Sequence, residues 1–199
     1  MILSATILAA GGSTRMESEN KLLLHLGDKT IIEHVCDAVA HGGFEPIIVV
    51  TGYDDEHVRE TLKGRNVEFV HNEAWKAGMA GSISTGVAAL PKSVDGNLIV
   101  LGDMPFLTPS TLDILRKEFI SNFGERIIYP SHDGQQANPV LFPKRYFGEI
   151  IAAEGEKGCK SVLKKHAEDA VPVTIESNDV ILDCDTKEDY FQLTKLMET

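Results

Sequence analysis

Four short runs of small and apolar residues, each followed by a stretch of different periodicity, limit the folds open to this chain. They are SATILAA (residues 4–10), PIIVVTG (46–52), VEFVHN (67–72) and NLIVLGDMP (97–105). A strand with one wet face alternates apolar and polar side chains, whereas a strand apolar at successive positions must be covered on both faces. Between the runs lie TIIEHVCDAVAHGG (30–43), DDEHVRETLKG (54–64), GSISTGVAALP (81–91) and TPSTLDILRKEFI (108–120). These read as helices, the third opened by Gly81 and Ser82, the fourth with Thr108 as N-cap and Pro109 in its first turn. Strands and helices in that rhythm make βαβ units, and so a three-layer α/β/α, Rossmann-like, mainly parallel sheet.

The rhythm changes after Phe123. RIIYP (126–130) and NPVLFP (138–143) lie close together, which predicts a mixed or antiparallel edge. A helical GCKSVLKKHAED, a strand near DVILD (179–183) and a last helix over KEDYFQLTKLM (187–197) complete the expected order. At 199 residues, with no repeat or linker-like tract, the chain reads as one domain over 1–199.

Charge narrows the function. Nineteen Lys and Arg against 30 Asp and Glu leave a net charge of −11, which argues against a nucleic-acid partner but not against a small phosphorylated substrate. Cys36, Cys159 and Cys184 are odd in number and far apart, as expected of free thiols in a reducing cytoplasm. No apolar run approaches the ~20 residues of a membrane span.

In an open parallel sheet, ligands bind outside the carboxyl ends of the strands. The unusual loops all follow strands: GGSTRM after the first, TGYDD after the second, HNEAWKAGMAGS after the third and GDMP after the fourth. Gly11 and Gly12 let the backbone approach a ligand, Ser13 and Thr14 add donors, and Arg15 supplies a guanidinium suited to phosphate oxygens. Lys21 brings a second cation. A plain turn with a surface arginine would use the same residues, but Lys21 and Asp103 favour a phosphate cradle. Asp103, leaving a buried strand beside that cradle, is placed to hold Mg²⁺. Asp183 and Asp185, two apart, share a face if the segment is extended. Asp185 also reads as N-cap of the last helix, with Glu188 completing a capping box.

These segments together resemble the MocA/MobA-like nucleotidyltransferases of molybdenum cofactor maturation, which have the nucleoside-diphospho-sugar transferase fold. LAAGGSTRM with NKLLLHLGDKTIIEHV is similar to their nucleotide signature, and GDMPFLTP to their metal-binding strand end. VVTGY, VHNEAWKAGMAGSISTG, NPVLFP, GEKGCKSVL and VILDCDTKEDY, the last with a D-x-D-T pattern, follow in order. The resemblance implies transfer of a nucleotidyl group from an NTP to the terminal phosphate of molybdopterin, with Mg²⁺ as cofactor and pyrophosphate released. It implies catalytic roles for Arg15, Lys21 and Asp103, and metal binding by Asp103 and Asp185. Leu8, Ala9, Ala10, Gly11, Gly12, Ser13, Thr14, Asn72, Gly78 and Ser82 join Arg15 and Lys21 as expected nucleotide contacts. His132 and Asn138 are expected to face the acceptor. Glu17 stands where the family usually has Gly. The Arg15–Lys21 spacing is similar to the guanylyltransferase branch, while LAAG, KLLL and VTGY are similar to the cytidylyltransferase branch, so CTP is preferred to GTP. A molybdoenzyme would receive the product. A different phosphorylated acceptor within the same fold, and a maturation factor that binds cofactor without turnover, remain the other readings.

Overall fold

The apolar runs become neighbouring strands of one sheet. The computed structural model describes residues 1–13, 20–153, 155 and 159–198. Its strands are β1 (Leu3–Ala9), β2 (His25–Leu26), β3 (Lys29–Thr30), β4 (Ile47–Thr51), β5 (Glu68–His71), β6 (Gly96–Leu101), β7 (Ile127–His132), β8 (Gln135–Gln136), β9 (Val140–Pro143) and β10 (Ala170–Thr174). The helices are α1 (Ile31–His41), α2 (Asp55–Thr61), α3 (Met79–Ala88), α4 (Pro109–Ser121), α5 (Phe147–Ile151), α6 (Lys160–Lys165) and α7 (Lys187–Met197). The sheet runs β10-β7-β9-β6-β1-β4-β5, with β8 paired to β7, while β2 and β3 form a separate hairpin. β1 pairs in parallel with both β4 and β6, β4 with β5 and β10 with β7. β9 is antiparallel to β6 and to β7. Thus β1 is the point at which the winding direction of the sheet reverses.

Alternation along the strands divides the core. Ile7, Val49, Leu98 and Val100 pack with Ile31, Val35, Leu112, Phe119 and Leu193 on the face covered by α1, α4 and α7. Ile99, Ile127, Val140 and Phe142 pack with Ile83, Val87, Ile150 and Leu163 on the face of α3, α5 and α6. α3 lies tight on the sheet, because a Cβ on Gly86 would stand 2.3 Å from Thr6 Cγ2 and 2.7 Å from Val50 Cγ2. A buried polar group fixes the β1–β6 register. The Asn97 amide donates to Thr6 Oγ1 at 3.0 Å and accepts from Ser4 Oγ at 2.9 Å, and all three residues are fully buried. A one-residue slip would strand these groups away from water. The three cysteines are free thiols. Among the described residues no helix is long and apolar enough to cross a membrane.

Three local expectations are corrected. DVILD is not a strand: Asn178–Val180 is a 3₁₀ turn, and the last strand is Ala170–Thr174. Asp179 Oδ2 accepts from Thr108 N at 3.3 Å, Thr108 Oγ1 at 2.9 Å and Thr111 Oγ1 at 2.6 Å. These bonds hold the segment at the start of α4 as a turn. The Pro172 in AVPVT obscured β10, but it is tolerated because β10 is an edge strand. Second, α3 begins at Met79 rather than Gly81, after Gly78 at φ 114°, a backbone angle open to glycine. Third, the cap of α7 is Thr186, with Asp189 in place of Glu188, so Asp185 is not the N-cap.

Gly86→Ala is expected to lower stability by about 1–3 kcal/mol through overpacking against Thr6 and Val50. Gly148→Ala, at an exposed position of α5 with nothing within 4 Å of the added Cβ, should be neutral or stabilising by about 0.5–1 kcal/mol. Urea denaturation of the two variants measures the contrast, and equal midpoints would refute the tight α3–sheet contact.

Candidate functional site

Strand register brings four loops to one edge. Ala9 pairs with Thr51, Leu8 with Leu101 and Thr51 with His71, so the chain leaves β1, β4, β5 and β6 side by side. Between them lies a cleft of about 550 Å³, a size typical of small-molecule sites. Gly102 makes the crossing from β6 close. Its N–H donates to Leu8 O at 3.0 Å, and a Cβ there would stand 2.6 Å from the same oxygen. Asp103 follows directly, on the cleft wall.

Lys21 joins the site from the other side. Asn20 caps its short turn, accepting from Leu22 N at 3.1 Å, and the Ser13 hydroxyl accepts from Lys21 N at 3.0 Å. The ammonium then sits 2.6 Å from Asp103 Oδ2 and 2.6 Å from Asp185 Oδ1. Its side chain and that of Asp103 are each 15% exposed. Asp185 reaches this position because Cys184 N donates to Asp103 O at 2.9 Å, pinning the segment of 183–185 against the end of β6. The helix cap assists: Asp189 Oδ2 accepts from the N–H groups of Asp185 and Thr186.

Burial works to lower the Lys21 pKa, but Asp103 and Asp185 outweigh it, and the ammonium is held more firmly than usual. Burial raises the Asp183 carboxyl above its ordinary range, with the charges of Asp103 and Asp185 acting in the same direction. Asp103 Oδ1 is buried and has no hydrogen-bond partner among the described residues. Among those residues no three His, Cys, Asp or Glu side chains gather as a metal group. The donor set on offer is therefore two carboxylates from separate segments. An Mg²⁺-type ion, which uses one or two protein carboxylates and completes its shell with water and phosphate oxygens, fits that set. Such an ion would compete with the Lys21 ammonium for these two carboxylates.

The remaining expected contacts divide. Leu8, Ala10, Gly11, Gly12, Gly78 and Ser82 line the cleft with Lys21, Asp103 and Asp185. Ala9 is turned into the core, as strand alternation requires between Leu8 and Ala10. Asn72 is 5% exposed and braces the loop, accepting from Ala74 N and donating to Ser82 Oγ, both at 3.0 Å. Ser13 acts through its bond to Lys21 N. Thr14 and Arg15 lie outside the described residues. His132 is away from the cleft, with its Nδ1–H donating to Ile175 O at 2.9 Å. Asn138 lines an adjoining apolar cavity.

Two residues escaped the sequence reading. Trp75 forms a wall of the cleft, resting where Gly12 and Gly52 have no side chains: a Cβ on them would lie 2.8 and 2.6 Å from it. Lys76 lines the cleft and holds its ammonium 5.2 Å from the centre of the Trp75 ring. The available signal was the sole tryptophan of the chain, set in a loop of small residues.

Residues 5–171 match the model of the MobA-like NTP transferase domain. A curated relative, the bifunctional protein GlmU of Staphylococcus carnosus, is 30% identical over 167 residues, which is 83% of this chain and 35% of that protein. The chain spans about a third of the length of that relative. Rv0371c of Mycobacterium tuberculosis H37Rv superposes with a TM-score of 0.85 at 25% identity, covering 98% of each chain. The manganese complex of Rv0371c superposes at 0.79 with 26% identity, over 98% of this chain and 99% of that one. With strand order, cleft and matched residues in agreement, this chain belongs to the family of MobA-like NTP transferase domains and has the nucleoside-diphospho-sugar transferase fold of nucleotidyltransferases.

Proposed function

We propose that the chain, as one domain, transfers CMP from CTP to the terminal phosphate of a molybdopterin-type acceptor. An acceptor phosphate oxygen bonds to the α-phosphorus, the bond to the bridging oxygen of the β-phosphate breaks, and pyrophosphate leaves. The observation that carries this reading is the Lys21 ammonium held between Asp103 and Asp185 at the edge of a nucleotide-sized cleft. The nucleophile is already an anion, so the protein must position it and neutralise charge rather than supply a base.

The parts fit those tasks. Gly11 and Gly12 let the chain pass close to the phosphates. Lys21, freed from its carboxylates, has an ammonium to give to the triphosphate, and Lys76 lines the same cleft. The expected guanidinium of Arg15 adds to this charge. Asp103 and Asp185 would hold Mg²⁺, whose charge, when bound, offsets that of the triphosphate. The Trp75 face and the backbone of the small-residue loop through Gly78 and Gly81 would read the base. Fixed backbone donors and acceptors reject a base with a different edge, because mismatched groups are left unpaired. That loop supports CTP, with GTP as the competitor. The free thiols are consistent with a cytoplasmic setting, and a molybdoenzyme would take up the product.

Four outcomes are expected. Lys21→Met and Arg15→Ala should each lower CTP-dependent pyrophosphate release about 10²–10³-fold, the scale of one lost transition-state contact. Without nucleotide, Lys21→Met should bind Mn²⁺ on the order of tenfold more tightly than the parent, since the competing cation is gone; unchanged affinity by electron paramagnetic resonance would contradict the competition. Asp185→Asn should reduce turnover with little change in thermal midpoint, because Thr186 rather than Asp185 caps α7. Calorimetric titration with Mg²⁺ present should give tighter binding of CTP than of GTP, and the reverse order would assign the guanylyl reaction.

A further inference from the structure

We infer that an apolar pocket beside the phosphate cleft receives a compact hydrocarbon portion of the acceptor, within reach of its phosphate. This rests on the nucleotidyl-transfer reading but not on molybdopterin, which has no such hydrocarbon portion; it selects instead the other reading, a different phosphorylated acceptor within the same fold.

The pocket, of about 100 Å³, shares Leu8, Met79 and Leu101 with the cleft. Beyond those three residues it is walled by Ile83, Ile99, Val140 and Phe142, each no more than 4% exposed. Cys159 also contributes to the wall, and burial pushes its thiol up to about 11, so it carries no charge near neutral pH. The polar side chains among the lining residues are those of Gln136, Asn138 and Lys160. Gln136 and Lys160 are exposed and mark the mouth.

Interiors are close-packed, and an apolar void forfeits contacts that a filled core would make. An unfilled hydrocarbon pocket continuous with a reaction cleft is the form that small-molecule sites take. Its place in the sheet selects the occupant. Trp75, Gly12 and Gly52 lie toward β4 and β5, whereas the pocket is built on β6 and β9, across the Leu8–Leu101 pair. A nucleotide laid along Trp75 leaves the pocket free, and a group placed there adjoins the phosphates from the acceptor side. The hydrocarbon wall has no partner for the hydrogen-bonding edge of a heterocycle. Such an edge meets Gln136, Asn138 and Lys160 at the mouth, while carbon enters the pocket.

The test uses alkyl monophosphates on the whole protein: methyl, propyl and isopentyl phosphate, titrated calorimetrically with and without CTP and Mg²⁺. Affinity should rise about fourfold for each CH₂ that becomes buried. Ile83→Phe, which fills the pocket, should flatten the series and leave CTP affinity unchanged. If that variant does not fold, Val140→Ile, adding one methylene to the opposite wall, should shorten the rising part of the series. A flat series in the parent, or an equal rise in the filled variant, overturns the inference while the nucleotide reading stands. Loss of CTP binding with the rise intact would remove the nucleotide reading and leave the pocket.

Discussion

One ammonium ties together three distant parts of the chain. Lys21 comes from the loop after β1, Asp103 from the end of β6 and Asp185 from the start of α7, 82 and 164 residues away. Two carboxylates that meet at one ammonium repel one another, and the intervening cation turns that repulsion into attraction. Whatever fills the position, lysine or divalent metal, must be positive. The protein alone meets this need with its own side chain. The cleft thereby carries the mixed charge that the proposed ligand, a nucleotide with a divalent metal, would need. The Cys184–Asp103 backbone bond and the Thr186 cap hold the two segments that carry these carboxylates.

The cluster depends in turn on close approach of backbone. Gly102 lets β6 turn against Leu8 O, and Gly86 lets α3 settle on β1 and β4. Gly12 and Gly52 leave room for Trp75 to become a wall. A methyl group at any of these would displace an element that carries a site residue, so these glycines shape the site through geometry. The register of β1 against β6, held by Ser4, Thr6 and Asn97, carries the same precision into the core. That buried polar trio belongs to the same two strands, β1 and β6, that lead into Gly11 and Asp103.

The cleft has two unlike sides because β6 has a parallel neighbour, β1, on one edge and an antiparallel one, β9, on the other. Toward β4 and β5 the strands are parallel and end in glycine-rich loops with Trp75 and Lys76. Toward β9 the neighbour is antiparallel, so loop ends are replaced by strand faces with aliphatic side chains. A single reversed strand therefore separates a charged, backbone-lined half from an apolar half. A reaction that joins two different molecules needs such asymmetry, since each must be recognised without excluding the other.

Much of this was legible in the residues. Consecutive apolar positions require burial on both faces, so SATILAA, PIIVVTG and NLIVLGDMP determined a covered parallel sheet without knowledge of its neighbours. The rule that loops after such strands share an edge then gathered Gly11, Lys21, Gly78 and Asp103. What tertiary structure alone decided is where segments without such a pattern lie. AVPVT is a strand because an edge position spares Pro172 a missing hydrogen bond, and DVILD is a turn because Asp179 is claimed by Thr108 and Thr111. Asp185 reads equally as cap or ligand along the chain, and only its place beside Lys21, with Thr186 already capping, settles the cap. Asn72 and Ala9 carry the right chemistry in the right loop, yet one braces Ser82 and the other faces the core. Local periodicity encodes which surface must be buried. It does not encode which distant group arrives to satisfy a carboxylate or an amide, because that partner exists only once the chain has closed on itself.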